Sequence, residues 1–374
     1  MIIFCLSITL GYLALMGSLI YGFNRTKPFN PPEVQPKTKF SIVIPFRNEA
    51  QNLPQLIASI QGLNYPKELF ELILVDDDSC DTSEGIINQL LQDSVLHWKT
   101  IANNRQSKSP KKDAITTAIS VAKNNWIITT DADCILPKYW LNSFDTYIQN
   151  TGVSCVIGPV TYLEQNTLLN RFQILDLLSL QGATMGAFGL KQPFLCNGAN
   201  FAYKKTLFNA VEGFKNNDRI ASGDDVFLLE KMAQNNQKNI GFLKNKAGIV
   251  RTNAESSLIG LINQRLRWAS KTGAYTSVLG KGTALIVLFM NMLIIITFLL
   301  AVLSLFPLEM FCLTVLIKTT IDFILLYKTA LFFNQKHVLK SYLWSLCVYP
   351  IFCSFIAITS LFSSYTWKER SFKK

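Results

Sequence analysis

Trp126-Ile-Ile-Thr-Thr-Asp-Ala-Asp133 is a β-branched, apolar run that stops on two acids one residue apart. Residues two apart in an extended backbone point to the same side, so Asp131 and Asp133 can face one hard cation while Ala132 faces the core. Two runs of the same kind lie upstream. Phe40-Ser-Ile-Val-Ile-Pro45 ends in a polar loop, and Leu72-Ile-Leu-Val75 stops at Asp76. Between them Leu53, Leu56, Ile57 and Ile60 repeat with a helical period. Strands alternating with helices imply parallel βαβ units, whose ligands collect at the carboxyl ends of the strands. The expectation is an α/β fold with a mostly parallel sheet and both acidic clusters at its binding edge.

Each cluster has a chemical and a plain reading. In Asp76-Asp77-Asp78-Ser79 a carboxylate can accept hydrogen bonds from a nucleobase or a ribose, but Asp and Ser also make good helix caps. A cation on Asp131 and Asp133 would bridge the two phosphates of a nucleotide sugar and stabilise the charge on the leaving diphosphate. Arg105, Lys108, Lys111 and Lys112 form a basic loop before the helix that begins near Asp113; Lys111 is the best candidate for a phosphate contact, against a merely solvated loop. Ser222-Gly-Asp-Asp225 has the spacing of a capping box, yet Asp225 could equally take the proton from an acceptor hydroxyl. In Gln264-Arg-Leu-Arg-Trp268 the indole offers a face for a sugar and Arg267 a fork for phosphate. The alternative there is an interfacial helix anchored by Trp and Arg.

The 374 residues are 49% apolar and carry a formal charge of +11. The charges concentrate between about 25 and 281, between nearly uncharged flanks, which points to a membrane protein and away from nucleic acid. Eight cysteines show no close C-x-x-C spacing and read as reduced packing residues; His97 and His337 alone cannot build a multi-histidine metal centre. Residues 2–23 carry no charge and, as a helix, span roughly 30 Å, so they read as a retained anchor and not a cleaved leader, which would have a basic start and a shorter apolar core. Arg25, Lys27, Lys37 and Lys39 follow and place the next domain in the cytoplasm. Thr283–Phe306, Met310–Phe332 and Ser341–Phe362 are three further spans, with Lys318 and Asp322 on one helix face of the middle one. Three such spans put the basic tail outside, against the charge rule, unless one is re-entrant. The expected boundaries are an anchor at 1–24, a Pro-rich linker at 25–39, a catalytic domain at 40–240, interfacial helices at 241–281, membrane helices at 282–364 and a basic tail at 365–374.

Four elements occur in one order: Ser41-Ile-Val-Ile-Pro-Phe-Arg-Asn-Glu49 with Val75-Asp-Asp-Asp-Ser79, then Asp131-Ala-Asp133, then Gly223-Asp-Asp225, then Gln264-x-x-Arg-Trp268. Over about 38 to 275 the chain resembles family 2 glycosyltransferases of the GT-A fold, a Rossmann-like class, especially the membrane branch of cellulose and hyaluronan synthases and ceramide glucosyltransferases. The resemblance implies a nucleotide-diphosphate sugar donor, Mg²⁺ or Mn²⁺, and inversion at the anomeric carbon. It implies that Pro45 and Glu49 border the nucleotide pocket, that Asp77, with Asp76 close behind, meets the nucleobase, and that Lys111 lies near the phosphates, with Pro110 in place of the usual glycine. It makes Asp131 and Asp133 the donor and metal motif, Asp225 the catalytic base, and Gln264, Arg267 and Trp268 the diphosphate and acceptor motif. Gly223-Asp224 replaces the more usual Thr-Glu, which leaves Asp224 as the other candidate base. Cys196-Asn-Gly-Ala-Asn200 is similar to the family segment that lines the pocket near the acceptor. Leu168–Phe188 reads either as an amphipathic helix against the membrane or as a core helix. The acceptor implied is a lipid or a growing glycan, and a polymer channel would require more helices or an export partner subunit. Two rival readings are a nucleotide-binding transport or scaffold protein without turnover, and a nucleotidyltransferase, which would normally show a Gly-rich phosphate loop absent near Pro45–Glu49.

Overall fold

The computed structural model describes residues 2–30, 32, 34–218, 220, 222–362, 365–367 and 370–372. Of the basic tail, Lys368, Glu369, Lys373 and Lys374 lie outside the described residues. The chain divides into two compact units, one of residues 27–163 and 196–253, the other of 1–26, 164–195 and 254–374.

The chain opens with helix α1 (Ile2–Arg25). Strand β1 (Phe40–Phe46), α2 (Leu53–Gln61), β2 (Phe70–Asp76), α3 (Ser83–Leu91), β3 (His97–Ala102), α4 (Pro110–Val121) and β4 (Trp126–Thr129) follow. Next come β5 (Cys134–Ile135), α5 (Trp140–Thr151), β6 (Cys155–Ile157) and β7 (Val160–Tyr162), then α6 (Leu168–Gly189). The chain returns through β8 (Phe201–Lys204), α7 (Lys205–Ala210), α8 (Val226–Asn236), β9 (Ile240–Phe242) and β10 (Val250–Thr252). It ends with α9 (Leu258–Ala269), α10 (Val278–Val302), α11 (Leu308–Phe332), α12 (Tyr342–Thr359) and a short hairpin of 365–367 and 370–372.

In the α/β unit a seven-stranded sheet has the order β3-β2-β1-β4-β8-β6-β9, and a small second sheet the order β5-β10-β7. β1, β2, β3 and β4 are parallel, as the alternation of strands and helices requires; β8 runs antiparallel to β4 and β6. Ile42, Val43 and Ile44 are fully buried on both faces of β1, each contributing about 1.5–3 kcal/mol. Pro45 is tolerated in this central strand because the β4 ladder already stops at Val43. After Arg25, which ends α1, the linker has neither helix nor strand at its described residues, and it is pinned where Lys37 and Thr38 donate backbone N–H groups to Asp145. The expected domain boundary at 240 falls early, since 240–242 and 250–252 are strands of this unit. Strands of three residues are too short to show a period.

The second unit holds four helices long and apolar enough to cross a membrane: α1, α10, α11 and the stretch 336–359 that includes α12. The helix at 168–189, expected within 40–240, belongs here instead. It packs on α1 through glycines whose backbones touch. A Cβ on Gly22 would stand 2.0 Å from the Gly186 carbonyl oxygen, and one on Gly189 would stand 1.8 Å from that of Gly22. Thr26 closes the contact by donating to the Met185 carbonyl at 2.7 Å. The expected pair on α11 forms, Lys318 Nζ lying 2.7 Å from Asp322, which also accepts from the Tyr12 hydroxyl at 2.5 Å. Each charge therefore has a partner inside an apolar bundle. All eight cysteines are free, and Cys80, Cys312 and Cys347 are exposed instead of packed inside.

Candidate active site

The loops at the carboxyl ends of β1 and β2 are laced together before either could meet a ligand. Asn48 adopts φ 51° and accepts from Cys80 N, while Ser79 Oγ and Ser83 Oγ accept from Asn48 N and Glu49 N. One oxygen of Asp76 closes the turn, accepting from both the amide and the hydroxyl of Ser79 at 3.0 and 2.6 Å. Asp76 thus fixes a local turn, while the acid that meets the start of α3 is Asp81, which accepts from Ser83 N at 3.0 Å. Asp77 is buried, and its Oδ1 accepts from Asn103 Nδ2 at 2.7 Å and faces Arg105 at 3.5 Å. Arg47 grips the two backbone carbonyls of Asp77 and Asp78. Asn103 also donates to the Pro110 carbonyl, which ties the Asp77 pocket to the first turn of α4.

That first turn is the hub. Lys111 Nζ lies 2.6 Å from Asp131 and 3.1 Å from Asp224. Burial works against its charge, yet Asp131, Asp224 and Asp225 outweigh burial and hold its proton more tightly than an ordinary lysine's. Asp225 caps α8, one oxygen accepting from Val226 N at 2.7 Å and the other from Gly198 N at 3.2 Å. The helix thus starts after Asp225, not at Ser222, so the cap is the aspartate itself and not a serine capping box. Gly198 lies close under this cluster: a Cβ would sit 2.9 Å from Asp224 Oδ2 and 3.6 Å from Lys111 Nζ, so a larger residue would push the Asp224 carboxylate aside. Of the Cys196–Asn200 segment, Asn200 is fully buried and does not line a pocket. Its amide joins the Trp140 indole, the Pro159 carbonyl and the Gly248 carbonyl.

Ala132 is buried between its two acids, as the alternation requires. Burial, then Asp131 and the buried Glu49, push the Asp133 carboxyl up to about 6, against the pull of a hydrogen bond with Thr252. The pair Asp131 and Asp133, crowded by the like charge of Glu49, fits a divalent cation held by two carboxylates. Among the described residues no group of three or more acid, thiol or imidazole side chains is placed to hold a metal ion. That also fits, because Mg²⁺ usually takes one or two carboxylates and completes its shell with water and phosphate oxygens. Thr252, on β10, joins this group from far along the chain, and no motif singles it out.

Gln264, Arg267 and Trp268 lie on α9, in the other unit. Arg265, which the motif spacing skips, is the buried organiser of this helix. It pairs with Asp176 of α6 at 2.6 Å, lies 4.2 Å from the Trp268 ring centroid, and donates to the Gln264 side chain. Gln264 in turn donates to Glu255 at 3.2 Å.

A mostly parallel sheet interrupted by the antiparallel strand β8, with Asp77, Asp131 and Asp133 beyond its strand ends, has the GT-A fold. Residues 41–211 match the model of the family described as Glycosyl transferase family 2. It is 28% identical over 193 residues to the glycosyltransferase AglE of Haloferax volcanii, covering 51% of this chain and 60% of that protein. It is 29% identical over 160 residues to the undecaprenyl-phosphate 4-deoxy-4-formamido-L-arabinose transferase of Yersinia pestis, covering 41% and 48%. The matches thus span about half the length of these relatives. Among solved structures, the mannosyltransferase PcManGT from Pyrobaculum calidifontis in complex with GDP-Man and Mn²⁺ superposes with a TM-score of 0.59 at 16% identity, over 95% of this chain and 98% of that one. That likeness shows a shared fold.

Proposed function

We propose that the chain is an inverting glycosyltransferase held in the membrane, with its α/β unit on the cytoplasmic side, moving a sugar from a nucleotide-diphosphate donor to a lipid or glycan acceptor. The observation that carries this is the convergence of Asp131, Asp224 and Asp225 around one lysine, with Asp133 and Glu49 beside them. Asp77, with Asn103 and Arg105 fixing its carboxylate, receives the nucleobase, and Pro45, Glu49 and Asp76 border it. Lys111 meets the diphosphate, exchanging a carboxylate partner for phosphate oxygens. Asp131 and Asp133 would hold Mg²⁺ or Mn²⁺, which would supply positive charge against the negative charge of the diphosphate. Asp225 accepts the proton of the acceptor hydroxyl as its oxygen bonds to the anomeric carbon and the bond to the diphosphate breaks. Gln264, Arg267 and Trp268 are assigned to diphosphate and acceptor on their motif alone. A lipid acceptor is supported by the membrane-length helices and by the relative named for undecaprenyl phosphate.

The test is to incubate detergent-solubilised protein with a panel of nucleotide sugars, Mn²⁺ and extracted membrane lipids. Release of nucleoside diphosphate with labelled lipid or glycan is expected. Pyrophosphate release would favour nucleotidyl transfer, and donor binding without release would favour a transport or scaffold role. Asp133→Ala is expected to weaken donor binding in Mn²⁺ at least tenfold, about 1.4 kcal/mol, while leaving metal-free nucleotide binding unchanged. Equal affinities for the variant and wild type in Mn²⁺ would remove Asp133 from the metal site.

A further inference from the structure

Next to Lys111 on the first turn of α4 stands a second lysine with a different environment. Lys112 is 1% exposed, among the largest fully buried side chains in the protein. Its ammonium donates to the backbone carbonyls of Asn217 at 2.6 Å and Ile220 at 2.8 Å, and lies 5.0 Å from the ring centroid of Phe227. Asn217 and Ile220 belong to the connection between α7 and α8, just before Ser222-Gly-Asp-Asp225. Phe227 lies in the first turn of α8, directly after it. One side chain thus holds both flanks of the segment that carries Asp224 and Asp225.

Burying an ammonium is costly, and a residue kept only to fill the core would be apolar. Carbonyl oxygens and an aromatic face stabilise the charge here, and what that charge gains is a fixed loop. The loop needs fixing. Gly223 sits at φ 82°, and Asp225 accepts from Val226 N and Gly198 N a few residues after Asn217 and Ile220, the carbonyls that Lys112 holds. Consecutive residues of one helical turn thus act on one loop in two ways, Lys111 facing the carboxylates themselves and Lys112 the backbone leading to them.

We propose that Lys112 is a positioning residue which sets the place of the Asp224–Asp225 loop relative to the donor site. The proposal rests on the glycosyl-transfer reading above, in which that loop supplies the base. It predicts that loss of Lys112 separates donor binding from transfer. Asp77, Asp131 and Asp133 sit on other strand ends and stay in place, while the base drifts from the acceptor hydroxyl. Water, small and abundant, is less sensitive to that drift than a bulky acceptor.

The experiment uses the full chain in detergent, with the donor selected by the nucleotide-sugar panel. Lys112→Met keeps the length of the side chain and removes its donor and charge. Its donor affinity in Mn²⁺ is expected to stay within about twofold of wild type, while transfer falls about tenfold to a hundredfold, the range expected for a misplaced catalytic group. The fraction of donor lost to hydrolysis, read as free sugar over transferred sugar, is expected to rise. Lys112→Gln, whose amide can reach one carbonyl, should fall between the two. Wild-type transfer in Lys112→Met overturns the proposal, as does a loss of donor affinity in step with the loss of transfer. Failure of both variants to fold assigns Lys112 to core stability and overturns it equally. A wild type that binds donors and transfers nothing overturns the glycosyl-transfer reading itself, and this role with it; failure with an active wild type is failure of this role alone.

Discussion

Asp225→Asn is expected to slow transfer by about a hundredfold to ten-thousandfold, the usual contribution of a general base, while the donor still binds. The substitution keeps the shape of the side chain and one acceptor oxygen for the α8 cap. It removes the capacity to take a proton. Both oxygens of Asp225 accept backbone N–H groups, from Val226 and Gly198, which favours its charged form and holds its direction. Asp224 has a different attachment, to Lys111. Asp224→Asn should therefore disturb the lysine, weakening donor affinity more than it slows the bound complex. Parallel measurements of donor affinity and single-turnover rate on the two variants separate them. If Asp224→Asn shows the larger rate loss with donor affinity intact, the base is Asp224 and not Asp225.

Gly186→Val should lower stability strongly. A Cβ at Gly186 lies 2.5 Å from the Leu19 carbonyl oxygen and 3.0 Å from its Cα, both backbone atoms that no rotamer change can move aside. Overpacking against a yielding core costs about 1–3 kcal/mol, and a contact with fixed backbone belongs at or above the top of that range. The expected outcome is a lowered unfolding midpoint in detergent and faster proteolysis within 164–195. Gly17→Ala is the control, since nothing lies within 4 Å of its added carbon. An unchanged midpoint for Gly186→Val would mean that α1 and α6 do not pack through their glycines.

Much of the fold is legible in the chain because the signals are local. β1, β2 and β4 are short β-branched runs, and each binding acid follows its strand directly. Asp131 and Asp133 announce themselves through the alternation that also buries Ala132. The half of the sheet beyond β4 is hidden, because β6 and β9 are three residues long and the reversed strand β8 joins them from far away in the chain. Lys112 reads as part of a solvated basic loop, since nothing in its neighbours says that Asn217 and Ile220 arrive above it. Asp76 shows the opposite case, its carboxylate taken up by the turn to Ser79. For α6 the clue is present in Gly182, Gly186 and Gly189, whose spacing of about one turn suits close helix packing in a membrane. The polar residues among them mask it by suggesting a helix that lies on a surface.

The excursion from Leu163 to Cys196 has a practical side. A water-soluble enzyme made by cutting away the chain before Lys27 and after Asn253 would keep a 22-residue helix stripped of the surfaces it grips. Such a fragment is set to aggregate. Trimming has to be done in three places, with a short polar bridge replacing 164–195.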